Sequence, residues 1–255
     1  MAVTIKNARE IERMRQAGAV VALIHSRIEQ AIRPGVTTKD LDEIARETLE
    51  ETGARSSFLG HLGFTGRICA SVNNEIVHGI PGKRVLRDGD IVAVDVGAIV
   101  GGYHGDSAWT YPVGSISAEA AALLRVTEEA LYLGIAQAVP GNRLGAIGHA
   151  IEQYARAHGY GMVREYGGHG IGRQMWEEPH VPNHGNPQEG VILRPGMTLA
   201  IEPMLNLGGD ETRVLDDGWT VVTADGSLSA HFEHTVAITT GEPEILTKRL
   251  AAVVH

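Results

Sequence analysis

Apolar and polar positions recur in two registers along this chain, and the region before Gly53 carries the helical one. Ile11, Met14, Gly18, Val21, Ile24 and Ile28 fall on one face at helical spacing. Asn7 is placed to cap that helix, with Glu10 three residues on as its reciprocal partner. Arg9, Glu10 and Arg13 read as its solvated face. Pro34-Gly35 ends the helix, and Thr37 or Thr38 opens a second one carrying Leu41, Ile44, Ala45 and Leu49 towards Gly53. The register then changes to short apolar runs of strand type at 68–72, 91–96 and 103–111, with Val100-Gly101-Gly102 as a hairpin turn between the last two.

The second half repeats this order. Ser117 caps a predicted helix through Leu123, Val126, Ala130 and Leu133, ending near Pro140-Gly141. A further helix over about 144–157 closes on Gly159, and strand-like runs follow at 162–165, 198–203, 219–224 and 232–239. The repetition reaches single residues. Pro34-Gly35 answers Pro140-Gly141, and Gly53 answers Gly159. His78-Gly79-Ile80 answers His169-Gly170-Ile171. Arg87-x-Gly89-x-x-Val92-Ala93-Val94-Asp95 answers Arg194-x-Gly196-x-x-Leu199-Ala200-Ile201-Glu202, and His104-x-Asp106 answers His231-x-Glu233. Matches in the same order imply an internal duplication: one domain over 1–255, made of two α/β halves, roughly 1–115 and 116–255, closing on one cleft.

The matched positions carry metal-ligand chemistry. In each half a carboxylate ends an apolar strand run, Asp95 after Ile91-Val92-Ala93-Val94 and Glu202 after Leu199-Ala200-Ile201. A bare carboxylate buried there is costly, so it needs a cation, a hydrogen-bond cage or a proton. Asp106 and Glu233 each follow a histidine by two residues. Four carboxylates and an imidazole aimed at one cleft would repel one another unless divalent cations neutralised them. An oxygen-rich set with one nitrogen suits Mn, Fe, Co or Zn better than a thiolate-seeking ion. Two such ions, about 3.5–4 Å apart, form a known hydrolytic arrangement in which a bridging water becomes hydroxide and attacks a polarised carbonyl.

Composition narrows the alternatives. The net charge of −9 and the lack of any lysine or arginine block argue against nucleic acid or an anionic membrane as partner. Cys69 is the only cysteine, which excludes an intramolecular disulfide and a thiolate zinc site and fits a reducing compartment. Met1-Ala2-Val3-Thr4 leads straight into a charged helix, so no signal peptide is expected, and no apolar run approaches the roughly 20 residues of a membrane span. The expected location is the cytoplasm.

The set Asp95, Asp106, His169, Glu202 and Glu233 resembles the five-ligand site of the methionine aminopeptidases. The phrases around it are similar to theirs as well: Ile76-Val77-His78-Gly79-Ile80-Pro81, Gly105-Asp106-Ser107, Gly168-His169-Gly170-Ile171-Gly172, Glu177-Glu178-Pro179 and Ala200-Ile201-Glu202-Pro203. The short gap from His169 to Glu202 and the lack of an N-terminal extension look like the type I, bacterial-style members. The resemblance implies a pseudo-twofold α/β structure, the pita-bread fold. It implies two divalent ions (Co, Mn, Fe, Zn or Ni), with Asp106 and Glu233 bridging, Asp95 on one ion, and His169 and Glu202 on the other. Glu202 would shuttle the proton of the attacking water, and His78 would contact the substrate and assist. The implied activity removes N-terminal methionine when the next residue is small. Its partners would be the N-termini of nascent polypeptides near the ribosome, met by a monomer.

By alignment to that family, Phe58, His61, Phe64, Cys69, Met175 and Trp219 would line the pocket for the first side chain, apolar enough for an unbranched thioether. Two positions depart from the pattern. His61 stands where the family usually has tyrosine. Trp176, seven residues after His169, stands where it has a second histidine contacting the scissile peptide. An indole N–H donates one hydrogen bond but cannot accept a proton. That substitution keeps two other functions in view: a same-fold peptidase of X-proline specificity, and a binding paralogue that kept the fold and lost the chemistry. Simpler readings cover the remaining motifs. His104 and His231 fit packing or supporting roles outside the ligand set, and His149, His158, His180 and His184 fit surface or loop positions. Gly168-x-Gly170-x-Gly172 lacks the Lys-Ser/Thr of a phosphate loop.

Overall fold

The computed structural model describes residues 3–249; Met1 and Ala2 of the leading segment lie outside them. Helix α1 (Ala8–Ala31) begins with the expected reciprocal cap: the Asn7 side chain accepts from the Arg9 and Glu10 N–H groups, and the Glu10 carboxylate accepts from Asn7 N–H at 2.9 Å. Its buried face is Met14, Ala17, Gly18, Val21, Ile24 and Ile28. Glu10 and Arg13 are more than a solvated face. Tyr103 Oη donates to Glu10 at 2.7 Å, and the Arg13 guanidinium lies 5.7 Å from the Tyr103 ring centre. Helix α2 (Thr38–Thr52) is capped by Thr37 and stopped by Gly53 at φ 66°, the left-handed conformation that glycine adopts without a Cβ penalty.

The strands of the first half are β1 (Arg55–Ser56), β2 (Ile68–Val72), β3 (Glu75–Val77), β4 (Ile91–Val100) and β5 (Tyr103–Pro112). β4 and β5 form a ten-pair antiparallel ladder, longer than the apolar run suggested. The turn between them is Gly101-Gly102, both at positive φ, as a tight hairpin of matching twist requires. β2 and β1 pair with the other edge of β4, and α1 packs across β4 and β5.

Helix α3 (Ala118–Ala136) is capped by Ser117, and α4 (Gly145–Ala157) packs against it. Leu133, expected on the buried face of α3, is exposed, and Leu131 and Gly134 face inward instead. The later strands are β6 (Gly161–Met162), β7 (Gly167–Gly170), β8 (Glu177–Pro182), β9 (Thr198–Ile201), β10 (Met204–Asn206), β11 (Thr212–Val214), β12 (Val221–Thr223), β13 (Ser229–His231), β14 (His234–Ala237) and β15 (Glu244–Ile245). The run expected over 162–165 is thus only the short β6. The five-stranded sheet runs β15-β14-β9-β7-β8, and two further sheets of three strands run β13-β10-β6 and β11-β12-β3; every pairing is antiparallel.

A polar seam joins β5 to the segment 231–235. Glu233 N–H donates to Ala108 O at 2.8 Å, and Ser107 Oγ to Glu233 O at 2.6 Å. Thr110 Oγ donates to His231 O at 2.8 Å, and Thr235 Oγ to Asp106 O, also at 2.8 Å. These buried bonds satisfy backbone groups that the two sheets leave unpaired where they meet. The carboxylates sit along that seam. Among the described residues, no helix is long and apolar enough to cross a membrane.

Candidate metal centre and active-site cleft

Each acidic group reaches the cleft from a strand or its edge. Asp95 is mid-β4, opposite Cys69 of β2 and Ala108 of β5. Asp106 is on β5, His169 on β7, Glu202 directly after β9, and Glu233 in the break between β13 and β14. Asp106, His169 and Glu233 each offer a ligand atom, and these atoms lie within 4.8 Å of one another. His169 Nε2 is 3.6 Å from Asp106 Oδ2 and 3.9 Å from Glu202 Oε1.

The electrostatics are those of an uncompensated anionic cluster. Burial pushes Asp95 and Glu233 well above the ordinary carboxylate range, and neighbouring carboxylates push them further: Asp106 and Glu202 act on Asp95, and Asp106, Glu202 and Asp95 on Glu233. Asp106 is raised by burial too, against the pull of His169. Glu202 goes the other way. Burial opposes its charge, but the His231, His169 and His78 imidazoles outweigh it and hold the carboxyl below its usual value. His231 Nε2 lies 3.4 Å from Glu202 Oε2, in ion-pair range without the alignment of a hydrogen bond.

A divalent cation fits this donor set. The buried oxygens Asp95 Oδ1, Asp106 Oδ1 and Glu233 Oε1 meet no hydrogen-bond donor among the described residues, which is costly for a carboxylate unless a cation takes that place. His169 Nδ1 lies 2.9 Å from Gly170 O. A carbonyl only accepts, so Nδ1 carries a proton, and Nε2 is the nitrogen turned to the carboxylates, the orientation a ligating imidazole takes.

Beside the carboxylates lies a cavity of about 200 Å³, and all the residues singled out from the sequence line it. Its apolar part is Phe58, Phe64, Cys69, Met175 and Trp219, with Phe64 and Trp219 edge to face at 5.0 Å. Burial, and then Asp95, Asp106 and Glu233, raise the Cys69 thiol well above its usual value, so it lines the wall as a neutral thiol. His78 follows β3 at φ 61°, a strained conformation for a residue with a Cβ, and is edge-on to Tyr166 at 5.8 Å and to Trp219 at 6.5 Å. Burial lowers its pKa, against the pull of the Glu202 carboxylate. Trp176 is 43% exposed at the mouth, its ring 4.3 Å from that of His61 and 6.3 Å from that of His169.

Other histidines sort by position. His104 Nδ1 pairs with Ser57 Oγ at 2.9 Å, and His158 is exposed. His180 is exposed, as expected, but it also borders the site. It faces His169 across the β7–β8 ladder and lines, with Tyr166 and Glu178, a second cavity that also touches His78, Asp95, His169 and Glu202. The signal available was its place directly after Glu177-Glu178-Pro179.

A buried carboxylate cluster with an oriented imidazole, set beside an apolar cleft on this scaffold, defines a metal-dependent hydrolase. The chain belongs to metallopeptidase family M24, whose model matches residues 12–240. Methionine aminopeptidase 1 of Bacillus subtilis (strain 168) is 53% identical over 246 residues, 96% of this chain and 99% of that protein. The crystal structure of methionine aminopeptidase from Thermotoga maritima matches with a TM-score of 0.96 at 45% identity, over 97% of this chain and 100% of that one. Prolidase from Pyrococcus furiosus shares the pita-bread fold, with a TM-score of 0.78 at 21% identity, over 96% of this chain and 66% of that one.

Proposed function

We propose that this chain is a methionyl aminopeptidase that removes N-terminal methionine from nascent polypeptides whose next residue is small. It works as a cytoplasmic monomer near the ribosome, with neither nucleic acid nor membrane as partner. The observation that carries the reading is the single cavity in which a thioether-sized apolar wall adjoins the buried carboxylates and His169. Relatives about half identical over nearly the whole chain, named methionine aminopeptidase, support it. The chain acts as one catalytic domain with two related halves, a reading supported by the parallel placement of Asp95 and Glu202 at the middle strands β4 and β9.

Asp95, Asp106, His169, Glu202 and Glu233 hold two divalent ions. When bound, such ions supply Lewis-acid polarisation and make water a nucleophile near neutral pH. The protein's own groups do the rest. Phe58, Phe64, Cys69, Met175 and Trp219 bind the methionine side chain, whose sulfur is suited to aromatic edges. His78, held edge-on by Tyr166 and Trp219, donates an N–H to the substrate's peptide group. Glu202, the carboxylate kept at a low pKa, takes a proton from the attacking water and delivers it to the departing amine. Water is added across one C–N bond, giving free methionine and the shortened peptide.

Stripping the protein of metal, restoring Mn, Co, Fe, Zn or Ni in turn, and assaying Met-Ala-Ser, Met-Pro and Ala-Pro peptides tests this. Methionine release from Met-Ala-Ser only after restoration is expected. Cleavage of Ala-Pro with Met-Ala-Ser spared would assign the X-proline specificity. Metal binding with no hydrolysis of any peptide would make the chain a binding paralogue, a reading to which Trp176 alone lends weight.

A further inference from the structure

The segment before α1 reaches into the wall of the cleft. Lys6 Nζ lies 2.7 Å from Glu177 Oε2, and the two side chains are only 6% and 11% exposed. Thr4 Oγ donates to the same oxygen at 2.5 Å and also meets the Lys6 ammonium. The other oxygen, Glu177 Oε1, accepts from Gln174 N–H at 3.2 Å, within its own loop. Lys6 N–H donates to Gly196 O at 2.7 Å. Two glycines make room for this strap. A Cβ at Gly172 would lie 2.5 Å from Lys6 Cε and 2.6 Å from Glu177 Oε1, and one at Gly196 would lie 2.7 Å from Lys6 O.

We propose that Lys6 and Glu177 are positioning residues whose buried ion pair ties the N-terminal segment to loop 171–177 and so holds Met175 and Trp176 against the cleft. The inference rests on the aminopeptidase reading for its kinetic part. Glu177 is bonded on one side to the strap and on the other to the loop's backbone, and it directly follows the two lining residues. A buried ion pair gives little net stability over a hydrophobic pair of the same size, but it fixes one geometry. Lining residues displaced by a fraction of an ångström lose much of their effect on a bound substrate.

The test is Lys6→Met, with Lys6→Arg as the charge-keeping control, in the full chain with saturating Mn. Lys6→Met is expected to raise KM for Met-Ala-Ser about tenfold while kcat changes less than about threefold, since the loss falls on binding contacts. Hydrogen exchange should quicken in 171–177 and stay slow in β4 and β5. Lys6→Arg should restore both readouts to near the parent values. Unchanged KM together with unchanged loop exchange in Lys6→Met would overturn the proposal, as would equal impairment in Lys6→Arg. If Lys6→Met does not fold, Glu177→Gln carries the same expectations. A parent protein inactive on every peptide would sink the function reading, and loop exchange would still decide the clamp.

Discussion

At the scale of single residues, the cluster is built from groups that cannot all be charged without help. Asp106→Ala and Glu233→Ala each remove a buried oxygen that meets no hydrogen-bond donor among the described residues, and each is expected to abolish metal-dependent hydrolysis; retained turnover in either would contradict the ligand role. Trp176 donates one hydrogen bond at most and lies against His61 at the mouth. Trp176→His restores a group that can donate and accept, and kcat on methionyl peptides should rise by on the order of tenfold or more, since one transition-state donor is commonly worth 10²–10³. A lower or unchanged kcat would mean that the indole is adapted to its place. His25 behaves differently. It is buried on α1, its Nε2 lies 3.0 Å from Ser107 O and its Nδ1 2.9 Å from Tyr111 Oη, and burial lowers its pKa to about 4. The folded chain therefore stays unprotonated there while the unfolded chain takes up a proton near pH 6.5. Stability is lost as pH falls from about 6.5 to about 4, by about 3 kcal/mol for this group. Urea midpoints across that range should fall in the parent and fall less in His25→Gln.

At the scale of elements, glycines decide how closely backbones approach. Gly105 precedes Asp106 on β5, and a Cβ there would lie 2.8 Å from Gly18 N and 2.9 Å from Ala17 C of α1. Neither backbone atom can swing aside. Gly105→Ala is expected to cost about 1–3 kcal/mol and to weaken manganese binding, because α1 must lift off the strand that carries a ligand. Calorimetric Tm and a metal titration read the two effects. β7 shows why some elements were illegible in sequence. Its residues, Gly167-Gly168-His169-Gly170, have no apolar alternation, so no periodicity marks them as a strand. A Cβ at Gly168 would meet Ala200 O at 2.1 Å, and one at Gly170 would meet Glu178 O at 2.2 Å. The glycines answer to the neighbouring strands, which only the folded chain supplies. α1, α2 and α3 were legible because their caps and apolar faces are local features, and β4 with β5 because a long apolar run meets a two-glycine turn.

At the scale of the molecule, the proposed ligands come from distant stretches of the chain: Asp95 and Asp106 from β4 and β5, and His169, Glu202 and Glu233 from β7 and the ends of β9 and β13. Metal held by these residues would link the two sheets across their seam. A ligand hundredfold above its Kd stabilises by about 2.7 kcal/mol, which for a chain of this size means roughly 5–10 °C in Tm. Chelation is expected to lower Tm by that amount, and Asp106→Ala should remove the difference between chelated and metal-loaded samples. Equal Tm values in the parent with and without manganese would contradict the linkage.

By itself the sequence determined the helices, the principal strands and the identity of the acidic and imidazole groups, because caps, periodicity and residue chemistry are written in local order. Only the tertiary structure decided how those groups meet: that Glu202 has His231 at its side, that His169 turns Nε2 inward, that His180 borders a second cavity, and that Lys6 reaches Glu177. Each of these depends on contacts between distant segments, and their geometry is set by packing and by backbone approach.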